Sequence, residues 1–214
     1  MSDTQARARI EHLVTSGTFS LDGGTWDVDN NVWIVGNDEE VIVIDPAHDA
    51  AAVAKVVGDR KTIAVVLTHG HDDHIRAARE TAELLKAPIC LNPADRMLWD
   101  AVYPDAAPDR EILSGDTFKV AGTRLHARYT PGHSPGSTCI ISPDLGVVFT
   151  GDTLFKGGPG ATGRSYSDFG TIIESIRTEL LTLPPETVVH TGHGDSTTIG
   201  DEAPHLDEWI ARGH

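Results

Sequence analysis

Thr68-His69-Gly70-His71-Asp72-Asp73-His74 follows directly on the apolar run Ile63 to Leu67, and this heptapeptide decides how the chain is read. Three imidazoles and two carboxylates, Asp73 the candidate ligand, fall within six positions, a density hard to explain without a cation. Buried together, such groups would leave lone pairs and charge uncompensated, at substantial free-energy cost. Nitrogen and oxygen donors with no thiolate suit Zn²⁺, Fe²⁺ or Mn²⁺. In extended backbone the alternation His69-x-His71 puts both rings on one side. The loop that follows can then turn Asp73 and His74 towards a second position nearby.

Working outward, three more residues stand in similar contexts. His133 lies in Tyr129-Thr130-Pro131-Gly132-His133-Ser134, after the strand-like Thr123 to Arg128. Asp152 ends the strand-like Gly146 to Thr150, in Thr150-Gly151-Asp152-Thr153. His193 lies in Val189-His190-Thr191-Gly192-His193-Gly194. Each follows a short β-branched run at a Gly or Pro turn, so all can converge at the carboxyl ends of strands.

An HxHxDH cluster followed by a distant His, Asp and His resembles the metallo-β-lactamase superfamily, with all seven ligands of its dinuclear members. The resemblance runs from about Trp33 to about Gly194. It implies a four-layered αβ/βα sandwich, an α/β fold; with no linker, repeat or low-complexity segment, residues 1–214 read as one domain. By the same resemblance His69, His71 and His133 would hold one divalent ion, and Asp73, His74 and His193 another. Asp152 would bridge the two ions, with Zn expected and Fe or Mn as alternatives. Relatives also use an Asp placed like Asp45, in Val43-Ile44-Asp45-Pro46, to brace the metal loop; a carboxylate behind a metal-bound imidazole is the general pattern.

Composition sets limits. With 214 residues the core needs no staples. A formal charge of -15 speaks against a nucleic-acid substrate, which wants a basic surface. Cys90 and Cys139 are isolated, so neither a disulfide framework nor a thiolate metal site is expected. The polar stretch Met1 to Arg9 is unlike a signal peptide and nothing approaches a membrane span, so a cytoplasmic location is expected.

Patterning predicts paired strands at Asn31 to Val35 and Val41 to Asp45. An Ala-rich helix over Asp49 to Val57 stops at Gly58. Amphipathic helices are expected over Ile75 to Leu85, Ala94 to Tyr103, Asp168 to Leu181 and His205 to Arg212. Short strands lie at Ile63 to Leu67, Pro88 to Leu91, between Thr117 and Thr150, and before His193. Helices among short strands fit an α/β sandwich. Gly132-His133-Ser134-Pro135-Gly136 fits GxSxG, but that elbow needs a following helix, and Ser137 to Ser142 reads as a strand. Gly158 to Gly163 fits GxGxxG, yet Pro159 removes a backbone donor and no acidic residue ends a strand about twenty positions on. That segment reads better as a flexible loop over the metals. His48, after Asp45-Pro46, is a candidate to border the site.

For function, the carboxylate at Asp152 argues against a true β-lactamase. Gly151-Asp152-Thr153-Leu154-Phe155-Lys156-Gly157-Gly158 resembles the glyoxalase II branch, and Asn30-Asn31 has counterparts there. The resemblance implies hydrolysis of thioesters of a small thiol by a metal-bridging hydroxide, with Asp73 and Asp152 as the catalytic carboxylates. A thiolate leaves without a general acid, its pKa lying near 8.5. The chain stops about twenty residues past His193, short of the helical domain that grips glutathione in full-length members. Lys156, Arg164 and Tyr166 are therefore the candidates for holding an anionic thiol. Arg outnumbers Lys twelve to five, which hints at a GC-rich genome and at mycothiol in place of glutathione. A lactonase, a mononuclear iron persulfide dioxygenase and a non-catalytic binder are the rival readings. A small-molecule substrate is the expected partner, and the sequence leaves the oligomeric state open.

Overall fold

The computed structural model describes residues 7–213. Its first element is a hairpin of β1 (Arg9–Leu21) and β2 (Gly24–Gly36), in register along its whole length from Arg9↔Gly36 to Leu21↔Gly24. Asp22 and Gly23 make the turn at φ 52° and 78°. Two positive φ angles on an Asp-Gly pair are what a two-residue turn between right-twisted strands requires. The chain continues through β3 (Glu40–Ile44), α1 (Ala50–Val57), β4 (Lys61–Val66), α2 (Asp72–Ile75), α3 (Ala78–Leu85), β5 (Ile89–Leu91), α4 (Arg96–Val102) and β6 (Arg110–Glu111). Strands β1 to β6 lie side by side in that order, antiparallel to β3 and parallel from there on.

The second sheet holds β7 (Thr117–Val120), β8 (Thr123–Tyr129), β9 (Thr138–Ser142), β10 (Val147–Gly151), β13 (Val188–Thr191) and β14 (Thr197–Thr198). Between β10 and β13 come the small ribbon β11 (Leu154–Phe155) and β12 (Gly158–Pro159), and helix α5 (Phe169–Ser175). Helix α5 runs on into a wider turn over Ile176–Leu180, and α6 (Ile199–Glu202) and α7 (Leu206–Arg212) follow β14.

Side-chain alternation along the strands creates the layers. Trp33 and Val35 of β2 join Ile42, Ile44, Ala64 and Val66 against Leu125, Ala127, Ile140 and Phe149 of the second sheet. Their neighbours Val32 and Ile34 point the other way, to Val53 and Val57 of α1. Val65 and Leu67 pack on Ile75, Ala78, Ala82 and Trp99 of α2, α3 and α4. On the far side, Ile141, Val148 and Val189 meet Ile172, Ile176, Ile199 and Trp209. The order is helix, sheet, sheet, helix, the αβ/βα sandwich that the sequence led us to expect. Among the described residues no helix is long and apolar enough to cross a membrane.

Two local expectations change. Strand β1 and the outer half of β2 had not been foreseen, although Asp22-Gly23-Gly24 is a turn signal. The helix expected over residues 75–85 is broken. Ala77 N bonds Ala47 O at 2.9 Å, which diverts the backbone and leaves Asp72–Ile75 as a separate turn. That turn replaces the loop expected after His71 and aims Asp73 and His74.

Candidate metal centre

All seven residues singled out by sequence lie at one end of the two sheets. His69 follows β4, His71 starts α2, and Asp73 and His74 belong to α2. His133 follows β8, Asp152 follows β10 and His193 follows β13, so the first sheet supplies four and the second three. His69 Nε2 is 3.1 Å from His71 Nδ1, which is 2.9 Å from His133 Nε2. A second group forms where His193 Nε2 lies 3.3 Å from His74 Nε2 and 3.2 Å from Asp73 Oδ2. Asp152 reaches both, with Oδ1 3.2 Å from His74 Nε2 and Oδ2 3.5 Å from His133 Nε2 and 3.4 Å from His193 Nε2.

What lies behind each ring fixes its orientation. Asp45 Oδ2 is 3.1 Å from His74 Nδ1 and accepts the Thr68 hydroxyl at 2.6 Å. Thr68 Oγ1, its proton so committed, can only accept from His69 Nδ1 at 3.1 Å. His133 Nδ1 faces Ala161 O at 2.9 Å, and His193 Nδ1 faces Asp29 O at 2.7 Å. All these outer atoms are acceptors, so four of the five rings carry their outer proton outward. Their inner nitrogens, with His71 Nδ1 and the two carboxylates, point at one another. His71 Nε2 is buried with no hydrogen-bond partner, and Asp152 Oδ1 is buried facing His74 Nε2 at 3.2 Å. Acceptors converging in a buried space need cations between them, and donors paired outward are the usual support of metal-bound imidazoles. The residues fit divalent metal, and of the three donor groups with suitable spacing among the described residues, two are these sets.

The electrostatics divide the centre. Burial, with His74 and His71 nearby, holds His69 well below the ordinary imidazole range. Burial, then His133, takes His71 down to about 3. In the other half burial alone would lower His74 and His193. Asp152 and Asp73 override it, raising His74 well above its usual value and His193 to about 10. Burial alone would raise the two carboxylates, but His74 and hydrogen bonding from His193 bring Asp73 to about 2. His193 and His74 likewise hold Asp152 well below the carboxylate range. Here the inner nitrogens take either a proton or a cation.

Asp95, which sequence reading missed, ties the loops together. It is fully buried and accepts from Gly70 N at 2.8 Å, from the Ser134 hydroxyl at 2.7 Å and from Gly136 N. One carboxylate thus joins the His69–His71 and His133 loops. Ser134 is committed to this role, consistent with declining it as a nucleophile. Gly192 shows how tight the fit is: a Cβ there would lie 2.2 Å from Asp152 Oδ1.

A cavity of about 320 Å³ opens over the centre. His71, Asp73, His133, Asp152 and His193 form its floor, and Phe19, Trp26, Val28 and Phe155 its apolar walls. Arg164 lines it too, its guanidinium 3.9 Å over the Trp26 ring and 5.7 Å from that of Phe19. Asp22, at the hairpin tip, accepts from Ser165 N at 3.0 Å and from its hydroxyl at 2.6 Å, latching this loop to the hairpin. Lys156 and Tyr166 are outside the lining. Lys156 pairs with Asp195 at 3.1 Å on the surface, and Tyr166 is 56 % exposed. The expected loop begins as strand β12, paired back on β11. His48 sits two hydrogen bonds from Asp73, through Asn30.

The sequence model described as "Metallo-beta-lactamase superfamily" matches residues 25–193. The chain is 34% identical over 180 residues to "Hydroxyacylglutathione hydrolase GloC" of Haemophilus influenzae, covering 77% of this chain and 85% of that one. Among solved structures it resembles that of TTHA1623 in a di-iron-bound form, with TM-score 0.72 and 30% identity over 88% of this chain and 96% of the other. It also resembles the BLEG-1 B3 metallo-β-lactamase, with TM-score 0.75 and 28% identity over 90% and 98% of the two chains.

Proposed function

The chain belongs to the metallo-β-lactamase superfamily, and from that membership we propose that it is a dinuclear metal-dependent hydrolase that cleaves thioesters of an anionic low-molecular-weight thiol. The observation that carries the reading is one cavity opening over two converging donor sets that share Asp152, with the Arg164 guanidinium on its apolar wall.

His69, His71 and His133 would hold one ion, Asp73, His74 and His193 the other, and Asp152 would touch both. Two such ions supply Lewis acidity and water activated at neutral pH. The remaining work falls to the chain. Asp45 and Thr68 keep His74 and His69 turned inward. Phe19, Trp26, Val28 and Phe155 take the apolar part of the substrate and shed its water. Arg164, stacked on Trp26, presents N–H donors to a carboxylate on the thiol. The thiolate leaves unaided, so the lack of a spare acid in the lining is no obstacle. Zinc, iron or manganese suits this nitrogen and oxygen set, and the di-iron relative keeps iron in view. The 34% identity to a hydroxyacylglutathione hydrolase supports the substrate class.

Metal analysis of protein purified without chelator, followed by a panel of glutathione and mycothiol thioesters, homoserine lactones and a β-lactam, tests the reading. Nearly two equivalents of metal and preferential thioester turnover are expected. A lactone turned over faster than every thioester would move the assignment to a lactonase. One equivalent of iron with oxygen consumption would move it to a dioxygenase.

A further inference from the structure

We propose that two adjacent asparagines of β2, Asn30 and Asn31, are positioning residues for the second half of the centre, each oriented by a histidine outside the ligand set. The inference rests on the dinuclear reading and adds to it what holds Asp73 and His193 in place.

Neighbouring residues on a strand face opposite ways, so the two amides serve different targets from one point of the backbone. Asn30 is fully buried and its Nδ2 donates to Asp73 Oδ2 at 3.0 Å. A carboxylate only accepts, which fixes the amide nitrogen towards Asp73 and the carbonyl towards His48. His48 Nε2 lies 2.8 Å from that carbonyl and must carry the proton. The relay runs one way, from His48 through Asn30 to Asp73. Asn31, also buried, donates through Nδ2 to Gly194 O at 2.9 Å and to Thr191 O at 3.1 Å. Its backbone N–H bonds Gly192 O at 2.8 Å. Three contacts therefore grip the loop carrying His193. The Asn31 carbonyl faces His12 Nε2 at 2.8 Å, so the same polarity argument makes His12 the donor.

Strand β2 belongs to the first sheet, whereas Thr191 ends β13 of the second and residues 192–194 follow it. The asparagines thus fix the registration of the second donor set across the seam. The first set is supported otherwise, His69 by Thr68 and His133 by Ala161 O. Loss of either relay should therefore weaken one half selectively. A merely structural role would weaken both.

The test titrates zinc into chelator-stripped full-length protein and resolves the two equivalents by calorimetry. His48→Phe keeps a ring packed on Gly17 but removes the donor, and His48→Gln restores one. Asn30→Asp sets a carboxylate against Asp73, and Asn31→Asp sets one against two carbonyl oxygens. For Asn30→Asp, which alters the direct partner of Asp73, the second equivalent should weaken about ten- to a hundredfold, the range for loss of such outer partners, and for His48→Phe by a smaller factor. The first should stay within about twofold, well below that range. His48→Gln should bind the second equivalent more tightly than His48→Phe, and both Asp variants should bind it least well. An unchanged second equivalent in His48→Phe and Asn30→Asp, or equal weakening of both equivalents, overturns the inference alone. A wild-type protein that takes a single equivalent overturns the dinuclear reading and this inference with it.

Discussion

At the residue scale, Asp152 is the most exposed to test. Its carboxylate reaches both donor sets, Oδ1 lying 3.2 Å from His74 Nε2 and Oδ2 3.5 Å from His133 Nε2. Two cations side by side repel strongly without an anion between them. Asp152→Ala should lose at least one metal equivalent and nearly all hydrolysis, as read by metal analysis and turnover on the same preparation. Retention of both ions at normal turnover would show that another group bridges them. Arg164 is tested through the substrate. A charged hydrogen bond contributes about 1.5–3 kcal/mol, so Arg164→Ala should raise KM for an anionic thioester by roughly ten- to a hundredfold. Its kcat should hardly move, since the contact is made equally in ground and transition states. Equal losses on a neutral ester would mean that Arg164 only shapes the loop.

At the scale of elements, the centre depends on how loops are tied to one another. Asp95, just before α4, satisfies two backbone N–H groups and a hydroxyl from two other loops. Removing it leaves buried donors unpaired, at about 1–3 kcal/mol each. Asp95→Ala should therefore destabilise the fold by about 3 kcal/mol or more, a fall in Tm of roughly 6–12 °C for a chain this long. The loss should appear in thermal unfolding with metal removed. A Tm within a degree or two of wild type would show that the loops hold without the brace. The hairpin has a comparable role above the floor. Phe19, Trp26 and Val28 become cavity wall because Asp22 binds Ser165, 143 positions away, and Arg164 stacks on Trp26.

At the scale of the whole molecule, the donor sets join the two sheets, and metal binding is coupled to protons. His193 stands at about 10 and His74 is also raised, so near neutral pH both inner nitrogens hold protons that an ion must displace. His69 and His71 are lowered and have none to lose. The sign follows: loading the second set releases protons, and its apparent affinity rises with pH up to about 10. Calorimetric zinc titrations in buffers of different ionisation enthalpy should show proton release at pH 7 mainly with one of the two equivalents, the one that His48→Phe weakens. Heats independent of the buffer would contradict this assignment of charge.

The sequence by itself determined the donor set and the strand ends that bear it. Histidine clusters after β-branched runs are local signals, and a period of two or of 3.6 is legible without knowing what packs on it. Helix α1, between Asp49 and Gly58, was legible for the same reason. The sequence did not reveal the break between α2 and α3, which a hydrogen bond to Ala47 O imposes from thirty positions away. Nor did it distinguish Arg164 from Lys156, because one stacks on a hairpin not yet placed and the other meets Asp195 in solvent. Asp95 carried no local signal, and Asn30 and His48 were marked only by resemblance and by place, without their partners. Their roles come from partners 25, 43 and 18 positions away. The tertiary structure decided these because a polar side chain's task is set by what burial leaves within hydrogen-bond reach. In this protein that depends on how two sheets and a hairpin close over one another.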